Sequence, residues 1–179
     1  MIIEKKLLPL QPFVIPLNGL TQGGTRFDWD ADVEFFGNFD NSEILDAGIS
    51  VEAYVEKASR YIGVDCRISG EVTVQCDRCL EDLRLPVDTG FKLSVKFGGE
   101  AGSADAGDRE IVMVPEGESE LDLSQFIYDY ICISLPMRRV HAEGQCNPDA
   151  VRYLKSEADA AGETPLADSP FAALKDMMK

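Results

Sequence analysis

Apolar and polar residues alternate over residues 49–56, where Ile49, Val51, Ala53 and Val55 interleave with Ser50, Glu52, Tyr54 and Glu56. A period of two puts one set on each side of an extended chain, which predicts a strand with one face in a core and the other in water. The rhythm returns in Ile62, Val64, Cys66 and Ile68, in Val72, Val74 and Cys76, in Leu83, Leu85 and Val87, and in Phe91, Leu93, Val95 and Phe97. Such segments in succession predict an antiparallel β-meander, either open or barrel-like. Cys66 falls in the apolar phase and belongs to the core. Glu110 to Val114 adds a further strand beyond the small, polar stretch 98–109, which reads as a loop.

Upstream the pattern is interrupted. Pro9, Pro12 and Pro16 break the apolar run from Leu7 to Leu17, and proline cannot donate to a ladder, so this is an edge strand or an extended wrapping segment. Phe27, Trp29, Phe35, Phe36 and Phe39 stand among aspartates and predict one more strand or short helix, pinned to the core by its aromatic rings.

Downstream the period changes to that of a helix. Leu123, Phe126, Ile127, Tyr130, Ile131 and Ser134 recur at helical spacing, Asp122 and Gln125 stand at capping-box spacing, and Pro136 ends the run. This predicts an amphipathic helix laid on the apolar face of the sheet. Asn147-Pro148 opens a short helix through Lys155, residues 156–168 read as a flexible tether, and Ser169-Pro170 starts a last helix with Phe171, Leu174 and Met178 on one side. The fold class is therefore α+β: a β-meander packed by an amphipathic helix, forming one domain over 1–155, with a tether and a short helical C-terminal tail over 156–179.

Candidate chemistry gathers at the turn of the central hairpin. Cys76-Asp77-Arg78-Cys79 sets two thiols two residues apart, a spacing that lets both grip one soft or borderline cation from the same side. Far downstream, His141 and Cys146 supply a second pair of donors, and His141 is the chain's one histidine. Cys76, Cys79, His141 and Cys146 are either a shared zinc site or three reduced thiols and a solvated histidine, and spacing leaves both open. If the two loops meet, Arg78, Arg138 and Arg139 gather at one end as a basic spot suited to phosphates and unpaired bases. Alternatively, they pair with the many nearby carboxylates.

Charge limits the partners. The 179-residue chain carries a formal net charge of −15, which repels a phosphate backbone at long range and suits a basic protein. Any contact with nucleic acid has to be local. No apolar run approaches the length of a membrane span, and the N-terminal residues show no secretory h-region, so the expectation is a cytoplasmic protein without a membrane partner. Its five cysteines are then reduced thiols or metal ligands. A thiol enzyme is disfavoured, because Asp77, Glu81 and Asp82 surround the cysteine pair and only Arg78 opposes them. A hydrolytic zinc site is disfavoured too, since four protein ligands leave no position for water.

These pieces in this order resemble the YceD family, the large ribosomal RNA subunit accumulation proteins of bacteria and plastids. The likeness is carried by Cys76-Asp77-Arg78-Cys79-Leu80, by Leu121-Asp122-Leu123 running to Ser134-Leu135-Pro136, by Val140-His141 followed by Cys146, and by Ser169-Pro170-Phe171-Ala172-Ala173-Leu174. It extends from about Pro12 to the end. The resemblance implies a small, non-enzymatic factor for accumulation or processing of the large-subunit (23S) ribosomal RNA, often encoded beside a ribosomal protein of that subunit. The partner would be that RNA or the pre-ribosomal particle. The residues proposed to meet it are Arg78, Arg138 and Arg139, with Phe171 and Leu174 in the tail. The alternative is an acidic adaptor or chaperone for a basic large-subunit ribosomal protein.

Overall fold

Gly70 and Gly90 decide how far the central strands run. In sequence they look like breaks, yet in the computed structural model, which describes residues 13–20, 22–40, 42–58, 61–98 and 108–152, each lies inside one long strand. A β-carbon on Gly70 would run into the carbonyl oxygen of Gly48, and one on Gly90 into that of Cys66. Gly70 also holds a φ of +150°, which side chains rarely adopt. Glycine therefore lets neighbouring backbones close up where any other residue would push them apart. The five predicted segments are thus three strands: β3 (Asp46–Ala58), β4 (Tyr61–Gln75) and β5 (Asp82–Phe97), with β4 and β5 joined by the turn 76–81.

Two further strands complete the sheet, β2 (Gly23–Asp32) beside β3 and β6 (Glu110–Val114) beside β5, giving the order β2-β3-β4-β5-β6. The β2–β3 and β3–β4 pairs are antiparallel, and their register stacks the buried side chains across strands, with Ala31 opposite Ile49, Val51 opposite Ile68 and Val55 opposite Val64. The β5–β6 pair is parallel, with Leu93 opposite Glu110 and Phe97 opposite Val114, so the meander is not wholly antiparallel. Residues 98–109 have the length that a parallel crossover needs, about a dozen residues, where a hairpin would need only a few. The barrel-like alternative is also corrected. The edge strands β2 and β6 stand at opposite ends of the order and do not pair with each other, so the sheet is open.

Of the proline-broken start, residues 7–12 lie outside the described residues, and the rest holds a short strand, β1 (Val14–Pro16), which pairs with β7 (Glu120–Asp122) in a separate two-stranded sheet. Both forms expected for the aromatic stretch occur: Phe27 and Trp29 lie in β2, and Phe35 and Phe36 in the single turn α1 (Val33–Phe36), capped by Asp32 through Glu34 N and Phe35 N. The main helix, α2 (Ser124–Ser134), buries Leu123, Ile127 and Ile131 completely. Its Tyr128 stacks on Phe39, just after α1, at 4.1 Å and lies 6.2 Å from Phe36 of α1, and its Tyr130 lies 4.9 Å from Phe91 of β5, so the helix is wedged between these aromatics and the sheet. Asp122, expected as its cap, accepts from Ser124 N at 2.8 Å but stands one residue ahead of the N-cap Leu123, which has no side-chain cap, and Gln125 closes no capping box; its amide donates forward to Asp129. Cys66 is buried, and burial pushes its thiol up to about 12.

Contacts divide the chain into two compact units, one running to Gln75 and resuming over Arg84–Met137, the other made of Cys76–Leu83 with the residues from Arg138 onward. The predicted tether and C-terminal helix lie outside the described residues, as do Phe171 and Leu174. Among the described residues no helix is long and apolar enough to cross a membrane.

Gly70→Ala and Gly90→Ala should each destabilise the chain by about 1–3 kcal/mol in urea unfolding. Gly48→Ala, whose added β-carbon meets nothing within 4 Å, should change stability far less.

Candidate metal centre

The second unit consists, among its described residues, of the turn 76–83 and the segment 138–152. The turn is tight: Leu80 N donates to Cys76 O at 2.9 Å and Cys76 N to Glu81 O at 2.8 Å. Leu80 takes a left-handed φ of 61° while leaving 69% of its surface exposed, a conformation normally reserved for glycine. This geometry faces the two cysteine side chains the same way.

Three polar ties hold the downstream segment against the turn. Asp77 and Arg139 bond reciprocally, Asp77 N to Arg139 O at 2.7 Å and Arg139 N to Asp77 Oδ2 at 2.6 Å, with the guanidinium also 3.9 Å from the carboxylate. Asn147 donates its side-chain amide to Glu81 at 2.7 Å, while its oxygen caps the helical turn at 148–152 through Asp149 N. His141 Nε2 lies 3.1 Å from the carbonyl oxygen of Asp82. A carbonyl only accepts, so Nε2 carries the proton, and the lone pair of Nδ1 is turned toward the cysteines.

Four donor atoms therefore converge. The sulfurs of Cys76, Cys79 and Cys146 and a ring nitrogen of His141 all lie within 4.8 Å of one another. Cys76 Sγ is 3.9 Å from Cys146 Sγ, and His141 Nδ1 is 3.4 Å from Cys79 Sγ and 3.9 Å from Cys146 Sγ. A tetrahedral zinc ion with its usual bond lengths needs about 3.8 Å between sulfurs and about 3.6 Å from sulfur to nitrogen. The set fits zinc. All five cysteines are free thiols.

The electrostatics favour a cation at the centre. Burial works against ionising Cys76, but the backbone N–H groups of Cys79, Arg78 and His141, together with the Cys79 side chain, bring its thiol down from 9.0 to about 6. The Cys76 sulfur in turn holds the His141 imidazole above its usual range, against the desolvation that lowers it, and Cys79 and the Asp82 carbonyl act in the same direction as Cys76. Cys146 is raised, first by burial and then by the two neighbouring cysteines. Orientation of the ligand histidine by a backbone carbonyl is the supporting bond that metal sites ordinarily show.

A family model described as large ribosomal RNA subunit accumulation protein YceD matches residues 64–178. The chain belongs to the YceD family. The family's name links it to accumulation of the large-subunit ribosomal RNA, and the matched span contains all four donors. No curated protein and no solved structure matches this YceD-family chain.

Of the arginines expected at this end of the molecule, Arg139 is engaged with Asp77, Arg78 is half-buried with its guanidinium 3.9 Å from Cys146 Sγ, and Arg138 is exposed. Sequence reasoning missed Asp77 and Asn147 as the residues that join the loops. The one available signal was an aspartate directly after the first cysteine, a residue type that commonly captures nearby backbone N–H groups.

Asp77→Ala should speed amide exchange at Arg139 by about tenfold or more, because a charge-assisted bond is removed; unchanged protection would show that Asp77 does not hold the loops. In metal-free protein, thiolate absorbance should rise with a midpoint of about 6, and Cys76→Ser should abolish that phase. Since this thiol ionises more readily folded than unfolded, its contribution to stability is fully present above pH 9 and lost as pH falls through 6.

Proposed function

We propose that this chain supports accumulation of the large-subunit (23S) ribosomal RNA by binding the RNA or the pre-ribosomal particle, without catalysing a reaction, and that Cys76, Cys79, His141 and Cys146 hold a zinc ion that fixes the binding unit. The observation that carries this reading is the closed set of four protein donors in a chain of this family. Four protein ligands complete a tetrahedron, which suits a structural ion and leaves no position for a substrate or an attacking water. Bound there, zinc would crosslink the turn to the downstream segment.

The contact with RNA is local. Exposed Arg138 stands directly before the Asp77–Arg139 joint, so its position is set by the bonds that hold the loops together. A second reading, an adaptor for a basic large-subunit ribosomal protein, is favoured by the net charge of −15.

Protein purified from cells should contain one zinc per chain, and a Cys76→Ser, Cys79→Ser variant should lose it. Cells carrying that variant as their sole copy should accumulate less 23S ribosomal RNA relative to 16S. Normal accumulation with the folded double variant would overturn the proposal. Recovery of a basic ribosomal protein at low salt, retained after nuclease treatment and lost at high salt, would favour the adaptor reading instead.

A further inference from the structure

We propose that Arg78 is the counter-charge of the metal centre, a positioning residue whose guanidinium offsets the excess negative charge that builds on the Cys146 side of the site. This rests on the zinc reading above. Three thiolates and a neutral imidazole around a divalent cation leave one net negative charge, and its sulfurs are out of water, with Cys76 0%, Cys79 7% and Cys146 8% exposed. Buried charge without a partner is strongly unfavourable.

The protein compensates the sulfurs unequally. Cys76 faces the backbone N–H groups of Arg78, Cys79 and His141. Cys146 receives a cationic side chain, Arg78 Nη1 at 3.9 Å.

The choice of partner is the informative point. Arg78 stands in sequence among Asp77, Glu81 and Asp82, any of which is an ordinary partner for an exposed arginine. Asp77 is instead taken by Arg139 and Glu81 by Asn147, and the guanidinium of Arg78 turns to a cysteine sulfur. A permanently charged group gains most from such a contact when the sulfur is a thiolate, as it is when ligating a metal. Arg78 is therefore committed to the centre, and Arg138 is the neighbouring cation left exposed to a partner.

Zinc affinity of the full chain, measured by competition with a chromophoric chelator, separates charge from shape. Arg78→Gln should weaken zinc binding about 10–100-fold, the range expected for loss of an outer-shell partner. Arg78→Lys, which keeps the charge, should recover most of that loss, and Arg138→Gln should bind as tightly as the unmodified chain. With cobalt in place of zinc, Arg78→Gln should also shift the sulfur-to-metal charge-transfer band, which a change in folding stability alone would not do; far-UV circular dichroism of the loaded proteins confirms the fold. Unaltered affinity in Arg78→Gln overturns the inference while leaving the zinc site standing, and equal weakening by Lys and Gln overturns the charge role. An unmodified chain that takes up no zinc overturns the metal reading and this inference with it.

Discussion

The second unit must hold together two segments more than fifty residues apart in the chain with almost nothing apolar to bury between them. Across its described residues, 76–83 and 138–152, the buried side chains are Cys76, Cys79, Leu83 and Cys146. Three of the four are cysteines. These described residues alone bury little apolar area to offset the entropy of ordering them, and small units ordinarily make up such a difference with disulfides or a metal. The cysteines here are free, and a histidine oriented by a backbone carbonyl completes the set. Among the described residues, the donor cluster thus stands where a hydrophobic core would.

Polar ties prepare that centre. The reciprocal Asp77–Arg139 bonds and the Glu81–Asn147 bond lie beside the donors and align the two segments, so an arriving ion meets side chains already gathered. The first unit works differently. Its strands stack Val51, Ile68, Val55 and Val64 across an open sheet, and α2 adds Ile127 and Ile131, a core that needs no ion.

What could be read from the sequence follows from the range of the forces involved. The period-two rhythm is local and gave the faces of β3, β4 and most of β5, where Phe97 is nonetheless exposed and Ser94 buried, and the helical spacing of Leu123, Ile127 and Ile131 found α2. The alternation stops short at Gly70 and Gly90, whose role, letting two backbones approach, depends on a neighbouring strand that the local pattern does not contain, so five short segments stood where there are three strands. The parallel pairing of β6 was hidden for the same reason: alternation gives a strand its faces but not its direction. At the candidate site, residue type and spacing singled out the four donors, since metal chemistry admits few side chains. The roles of Arg78 and Arg139 were not legible, because an arginine looks the same whether it faces phosphate, carboxylate or thiolate until its neighbours are placed. The helical tail with Phe171 and Leu174 remains a reading of the sequence.

Zinc-edge X-ray absorption on the purified, untagged protein decides whether a metal joins the two segments of the second unit. Three sulfurs at about 2.3 Å and one nitrogen at about 2.0–2.1 Å are predicted. A zinc shell of oxygens, or purified protein that takes up no zinc, would contradict it.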